Sequence, residues 1–409
     1  MQLRRASWLD ALASASGEPR PLTRELRAAL HQLDDALFEL WNLGENVLLA
    51  WSTARRGLRV LPARHYAIAE AIHQGSGGTH DIDTASRAVN EILAGPTYLQ
   101  NKEFERVCRL FGGTPRVLEV DFEVGADVSV GLVSRLIDRY GMTLVRGRAV
   151  VLLDAVGFSL RAPLEQVAML GSLAYSVNSA YRQLLSRNIN VNFARTTTGD
   201  GFYIWNRERS VEADIALYQL TMMILADNAV AQRKARGDWV PRLRAAFHVG
   251  EYYEFYQVEA LNPTTFSYIV GPVTIDLSRM IDKALPGQIL IGEFDLEVRE
   301  HSTGRTVRYG TLEFFDQTAA ALEPLRGLEI AGDRIERIRC YLTGERRDAG
   351  RFSVNRYHIL DKHGTSRRVY NAKINIHRER AEPIFLGVEH ENLAPFSAMQ
   401  VDVLDSPRR

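Results

Sequence analysis

Two short runs constrain this chain more than any other part of it: Val150-Val151-Leu152-Leu153-Asp154-Ala155-Val156-Gly157-Phe158-Ser159 and Thr196-Thr197-Thr198-Gly199-Asp200-Gly201-Phe202-Tyr203. In each, an apolar strand reads into an aspartate and a glycine turn. The two aspartates stand 46 residues apart, with one helix-length segment between them. Alone, an Asp at a strand end is usually a turn former or a helix cap. Two of them on adjacent central strands would repel unless cations neutralise them. Hard divalent cations suit such oxygen ligands, and a pair of cations clamps a nucleoside triphosphate for in-line attack. Gly157 and Gly201 are small enough to let a polyphosphate approach the backbone. The pattern points to a nucleotide-handling enzyme.

At 409 residues the chain exceeds one ordinary core, and two or three domains are expected. Fifty basic and fifty acidic residues cancel, which speaks against a nucleic-acid partner or a polybasic membrane contact. Cys108 and Cys340 are far apart and form no CxxC spacing. They exclude a disulfide framework or a structural zinc site and fit a reducing compartment. Met1 to Arg20 has no apolar core of a secretory signal, and the uncharged run Gln166 to Tyr181 falls short of the ~18–20 apolar residues of a span. A cytoplasmic protein without a membrane partner is the expectation.

Three regions are expected. Residues 1–115 read as a helical N-terminal domain, since Leu22, Leu26, Leu30, Leu33, Leu37 and Leu40 recur at spacings of four and three. Pro62, Gly75-Ser76-Gly77-Gly78 and Gly112-Gly113 punctuate its later helices. Residues 116–345 alternate strands and helices. Strands are expected over 117–124, 143–153, 189–198, 202–205, 241–249, 266–270 and 288–291, and helices over 128–140, 163–187, 211–236 and 274–285. This order predicts an α+β fold, a ferredoxin-like palm with added strands. Residues 346–409, with Asp361-Lys362-His363-Gly364 and Tyr370-Asn371-Ala372-Lys373, read as a separate small C-terminal module.

A third feature is Gly271-Pro272-Val273-Thr274-Ile275-Asp276-Leu277-Ser278-Arg279-Met280, followed by Pro286-Gly287-Gln288-Ile289. With the two aspartate runs and Phe247-His248-Val249-Gly250, it resembles the catalytic domain of class III nucleotidyl cyclases from about residue 145 to 345. The stretch from Ile330-Ala331-Gly332-Asp333 to Tyr341-Leu342-Thr343-Gly344 resembles that domain's closing hairpin. The resemblance implies that Asp154 and Asp200, with the Ala155 carbonyl, hold two Mg²⁺ or Mn²⁺ ions. Phe158, with Gly157 and Gly199, would line the polyphosphate site. It further implies a head-to-tail homodimer in which Arg279 of the partner protomer stabilises charge at the α-phosphorus.

The departures from that family narrow the substrate. The purine-reading lysine is replaced by Thr196 and the purine-reading aspartate by Tyr268. The ribose-orienting asparagine is replaced by Ile275, with Asp276 beside it, and the phosphate-gripping lysine falls at Ala331, leaving Arg334 or Arg326 as substitutes. The metal carboxylates and the arginine are retained while the base-reading set, now Thr196, Thr198 and Tyr268, is exchanged. Tyr268 fills room that a purine requires. This set resembles the bacterial Pycsar cyclases, which make cyclic UMP or cyclic CMP for an effector in anti-phage defence. The tail from Asp361 to Gly387 is similar to the AGS-C sensor modules of defence-linked cyclases. The expectation is a homodimeric pyrimidine cyclase, UTP before CTP. An atypical adenylyl cyclase and a catalytically silent nucleotide-binding regulator stand as rivals.

Overall fold

The computed structural model describes residues 8–18, 20–75, 82–208, 210–258, 265–299, 306–346, 352–361 and 364–404. The glycine-rich run at 76–78 and Lys362-His363, both singled out above, lie outside the described residues. In chain order the helices and strands are α1 (Trp8–Ala15), α2 (Arg24–Trp41), β1 (Asn46–Ala54), β2 (Gly57–Arg64), α3 (His65–Gly75), α4 (Ile82–Ala94), α5 (Asn101–Leu110), β3 (Arg116–Leu118), α6 (Val130–Asp138) and β4 (Met142–Ala155). They continue with α7 (Pro163–Leu185), β5 (Phe193–Thr197), β6 (Gly201–Asn206), α8 (Val211–Lys234), β7 (Leu243–Val258), β8 (Thr265–Val270), α9 (Pro272–Lys283) and β9 (Ile289–Gly292). The remainder is β10 (Asp295–Arg299), β11 (Thr306–Gly310), α10 (Thr311–Ala320), β12 (Glu329–Ile330), β13 (Asp333–Leu342), β14 (Val354–Leu360), β15 (Ser366–Arg378), β16 (Ile384–Leu386) and β17 (Gln400–Leu404). The class is mixed α+β with one large mixed sheet, as expected.

The chain divides into two compact units, residues 1–146 with 253–270, and residues 147–252 with 271–409. The first unit is helical around a three-stranded sheet β1-β2-β3. Its leucine stripe behaves as the spacing predicts: Leu30, Leu33 and Leu37 of α2 are buried together with Leu132, Leu136 and Tyr140. The hairpin β1–β2 is a correction to a purely helical reading. Its turn is Arg55-Arg56, closed by the pairing of Ala54 with Gly57. Gly57 sits at φ 128°, where a Cβ would lie 2.0 Å from the Leu118 carbonyl oxygen, so only glycine fits. The strand expected over 117–124 shrinks to β3, and beyond it Val120, Phe122 and Val124 pack on the core without joining the sheet.

The second unit carries the sheet order β12-β13-β15-β9-β7-β4-β6-β5. The segment 346–409 is therefore no separate module. Strand β15 lies between β13 and β9, pairing Ala372 with both Leu342 and Ile289. Its middle is buried continuously, the pattern of a central strand covered on both faces. The polar side chains there are satisfied in place. Asn371 donates to Thr343 Oγ1 and the Val388 carbonyl, both at 2.8 Å, and Lys373 Nζ lies 2.8 Å from Glu389.

Helix α7 starts where Pro163 supplies a preset φ and Glu165 accepts from the Ala162 amide at 3.0 Å. Ser210 caps α8, whose first turn is acidic and last turn basic, matching its dipole. Helix α8 packs against α7 and α10, and its Tyr218 meets Phe247, Phe314 and Phe315 edge-to-face while Phe247 stacks on Phe314. At its N-terminal end Asp214 is buried, accepting from the Ala149 amide at 2.9 Å and from Asn206. Among the described residues no helix is long and apolar enough to cross a membrane.

Burial pushes the Asp214 carboxyl up to about 7, against the opposing pull of its hydrogen bonds. An unfolded aspartate loses its proton near pH ~3.9. Between those values the folded chain binds the extra proton, so stability falls as pH rises and levels above about 7. Asp214→Asn stays neutral and should lack this slope. The melting temperature of wild type minus that of the variant should therefore fall between about pH 5 and 7; a constant difference would refute the assignment.

Candidate functional site

Strands β4 and β6 run antiparallel with Asp154 opposite Gly201, and the Ala155 amide donates to the Asp200 carbonyl at 3.0 Å. This register delivers Asp154 from the end of β4 and Asp200 from the turn before β6 to one place. The carboxyls are close enough that Asp200 raises the Asp154 pKa by charge and by hydrogen bonding. The larger cause of that rise is burial; Asp154 is 7% exposed. The turn is self-braced: Thr198 Oγ1 donates to Asp200 Oδ1 at 3.1 Å, and the Gly199 amide donates to Thr197 Oγ1 at 3.1 Å.

The glycines divide into two kinds. Gly157, at φ 68°, and Gly199, at φ 99°, adopt the left-handed conformation, and a Cβ on either would meet nothing within 4 Å. They leave open space beside the aspartates. Gly201 is closed in: a Cβ there would sit 1.8 Å from the Leu153 carbonyl oxygen. Its smallness serves the β4–β6 pairing and not the approach of a polyphosphate.

Arg244, on β7, is the site residue that sequence reasoning missed. Its Nε donates to Asp154 Oδ2 at 2.6 Å and its Nη1 to the Ala284 carbonyl at 3.3 Å. The ion pair opposes the rise of the Asp154 pKa. The available signal was an arginine inside the otherwise apolar run from Leu243 to Phe247.

Arg279 lies elsewhere in the same unit, on α9. Its partners are Asp282 at 3.5 Å and Asp361 at 3.9 Å, and its Nε is buried without a hydrogen bond. Asp276, one turn earlier, accepts from Arg367 Nε at 2.6 Å and lies 3.8 Å from His248. Burial, foremost, pushes the His248 imidazole pKa down. Ile275 is exposed on the same helix. Thr196 pairs with Tyr203 across β5 and β6, and the Tyr203 hydroxyl donates to the Thr274 carbonyl of α9 at 3.0 Å. Tyr268 belongs to the other unit, where it stacks on Phe255 with ring centroids 5.9 Å apart. Phe158 is half-buried, and its carbonyl accepts from Gln166 at 3.2 Å. Arg334 and Arg326 are exposed on and before the β12–β13 hairpin, near Glu329 and Glu323.

Among the described residues no group of three or more His, Cys, Asp or Glu side chains assembles. Two carboxylates with open space beside them still fit a magnesium-like cation, which takes one or two carboxylates and completes its shell with water and substrate phosphate. Asp154, Asp200 and the Ala155 carbonyl are the hard oxygen donors available to it.

No family model matches the chain, and no curated protein matches its sequence. Solved structures similar to it include the adenylyl cyclase CyaB from P. aeruginosa, at 14% identity and TM-score 0.34, covering 58% of this chain and 97% of that one. The guanylate cyclase domain of RhGC from Catenaria anguillulae, in complex with GTP, shows 12% identity and TM-score 0.33 over 58% of this chain and all (100%) of that one. The guanylyl cyclase Cya2 shows 14% identity and TM-score 0.32 over 56% and 92%. Likenesses this distant assign no chemistry, which stands on the residues above.

Gly201→Ala should disrupt the β4–β6 register at Asp154, at a cost on the order of 3 kcal/mol or unfolding outright. Gly199→Ser, facing open space, should cost mainly its backbone strain, about 1–2 kcal/mol. Chemical denaturation of both variants checks the contrast, and equal losses would refute it.

Proposed function

We propose that the chain is a metal-dependent nucleotidyl cyclase of the class III type, acting on a pyrimidine nucleoside triphosphate, UTP before CTP, and releasing pyrophosphate. The observation that carries this reading is the meeting of Asp154 and Asp200 at the β4–β6 strand ends beside two open glycines. Asp154, Asp200 and the Ala155 carbonyl would hold two Mg²⁺ or Mn²⁺ ions. Such ions, when bound, acidify a ribose 3′-hydroxyl and neutralise the triphosphate.

The chain's own residues supply the rest. Arg244 keeps one Asp154 oxygen oriented and offsets the repulsion between the carboxylates. Arg279 is assigned the charge that develops as pyrophosphate leaves, acting on the metal site of a second protomer. A homodimer has an apolar face to draw on, since Leu160, Leu164, Val167 and Tyr175 form an exposed stripe on and before α7. Thr196, Thr198 and Tyr268 are assigned to the base, and Arg334 to the terminal phosphates. The reading includes the role that the family resemblance implies, a cyclic pyrimidine nucleotide made as a signal for an effector in bacterial anti-phage defence. The Arg244–Asp154 ion pair also favours a second reading, a silent nucleotide-binding regulator, because a guanidinium already neutralises one carboxylate.

Asp154→Asn and Arg279→Ala should each lower turnover by roughly 10²–10⁵-fold with Mn²⁺ while leaving the chain folded. Mixing the two inactive proteins should restore part of the activity, because one site in each heterodimer is then intact. No recovery after demonstrated subunit exchange would rule out a shared site.

Incubated with all four labelled triphosphates in competition, the protein should give one cyclic pyrimidine product, resolved by thin-layer chromatography. A site whose polar groups match one base rejects another by orders of magnitude. Predominant cyclic AMP or cyclic GMP would overturn the assignment of Tyr268, and no cyclic product would favour the silent regulator.

A further inference from the structure

The face of α9 that carries Asp276 and Arg279 is met by Arg367 at the start of β15 and by Asp361 just beyond β14. Arg367 reaches from β15 with Nε 2.6 Å from Asp276 Oδ1 and Nη1 2.6 Å from Asp361 Oδ2. Asp361 is fixed in turn by the Thr365 amide, which donates to its Oδ1 at 2.9 Å, and its side chain is only 4% exposed. The same Oδ2 lies 3.9 Å from Arg279 Nε, a buried donor that has no hydrogen bond. A buried donor left without an acceptor costs free energy, and here a fixed, charged acceptor stands one short movement away.

Resting on the cyclase reading above, we infer that Asp361 is a positioning residue for Arg279. It anchors the Nε edge of the guanidinium so that the other N–H groups are aimed outward at substrate phosphate. The arrangement divides the five donors of the fork. Asp361 takes the Nε side and Asp282 lies 3.5 Å from Nη1, so the Nη2 side of the fork is assigned to the developing charge. Catalytic hydrogen bonds are often long in a ligand-free site and tighten when the substrate is bound. The Nε–Oδ2 separation has that character. Arg367 sets the partner in place: by bridging Asp276 and Asp361 it ties the helix and the turn into one register, so that the anion and the guanidinium cannot drift apart.

The test combines kinetics with a signal that needs no turnover. In the full chain, Asp361→Asn should lower kcat by about 10–100-fold with KM for the triphosphate changed less than about threefold, the split of an interaction made in the transition state. In an Arg279→Ala background the same substitution should cost less than about twofold more, because residues acting through one another are not additive. Asp361→Glu, which keeps the charge, should recover part of the loss. Independently, with Mg²⁺ and a 3′-deoxynucleoside triphosphate bound, which cannot cyclise, the Arg279 Nε–H resonance, assigned by its absence from Arg279→Lys, should exchange with solvent at least about tenfold faster in Asp361→Asn. If Asp361→Asn cannot be prepared folded, Asp361→Glu alone should show a several-fold loss of kcat and faster Nε–H exchange. Wild-type kcat and exchange in the variant tested would overturn the inference, as would full additivity with Arg279→Ala. If the wild-type chain forms no cyclic nucleotide, the cyclase reading fails while the exchange measurement still decides whether Asp361 holds Arg279.

Discussion

The second unit depends on one strand pairing, β4 against β6, with Asp154 opposite Gly201. The strands meet so closely that the Leu153 carbonyl occupies the space of any side chain at 201. That contact settles where β4 ends, where the Thr198–Asp200 turn begins, and hence that two carboxyls share a site. The proposed metal site starts from this local geometry. Shifting the pairing by one residue would turn one aspartate to the opposite face of the sheet.

Around this pairing the unit alternates charge in short relays. Asp154 meets Arg244, and on α9 the sequence of neighbours runs His248, Asp276, Arg367, Asp361, Arg279. Asp154, Asp276 and Asp361 each touch an arginine, which offsets the cost of partly removing a carboxylate from water, while burial holds the His248 imidazole pKa down. The relays join segments distant in the sequence: β4 to β7 in the first, and α9 to the β14–β15 turn in the second. Their ion pairs restrain long side chains that packing alone would leave free to rotate.

Much of this was legible in advance, for identifiable reasons. The palm elements from Thr143 to Ile291 announce themselves because apolar strands alternate with helix-length segments, and Pro163 marks one helix start. The carboxylate pair was readable because strand, aspartate and glycine recur in the same order twice. The β1–β2 hairpin was not, since the run Val47-Leu48-Leu49-Ala50-Trp51 is apolar without alternation, and its Arg55-Arg56-Gly57 turn lacks the asparagine–glycine signature. The place of β15 escaped for a different reason. Asn371, Lys373 and Asn375 suggest a solvated surface strand, and only tertiary partners such as Thr343 and Glu389 make a buried Asn371 and Lys373 tolerable. Arg367 carries no local signature, and Arg244 shows only its place in an apolar run; their roles arise from what lies across the sheet.

The position of β15 between β13 and β9 has a consequence for biosynthesis. Emerging from the ribosome, the chain presents β9 and β13 well before the strand that joins them is made, and each waits with an edge unfilled. Until about residue 378 has left the exit tunnel, the sheet stays in two halves and α9 lacks the turn that grips it. In this window the unfilled edges of β9 and β13 are open to edge-to-edge association. A chain stopped short of β15 would lack Arg367, and with it the bridge between Asp276 and Asp361, along with the strand that completes the sheet.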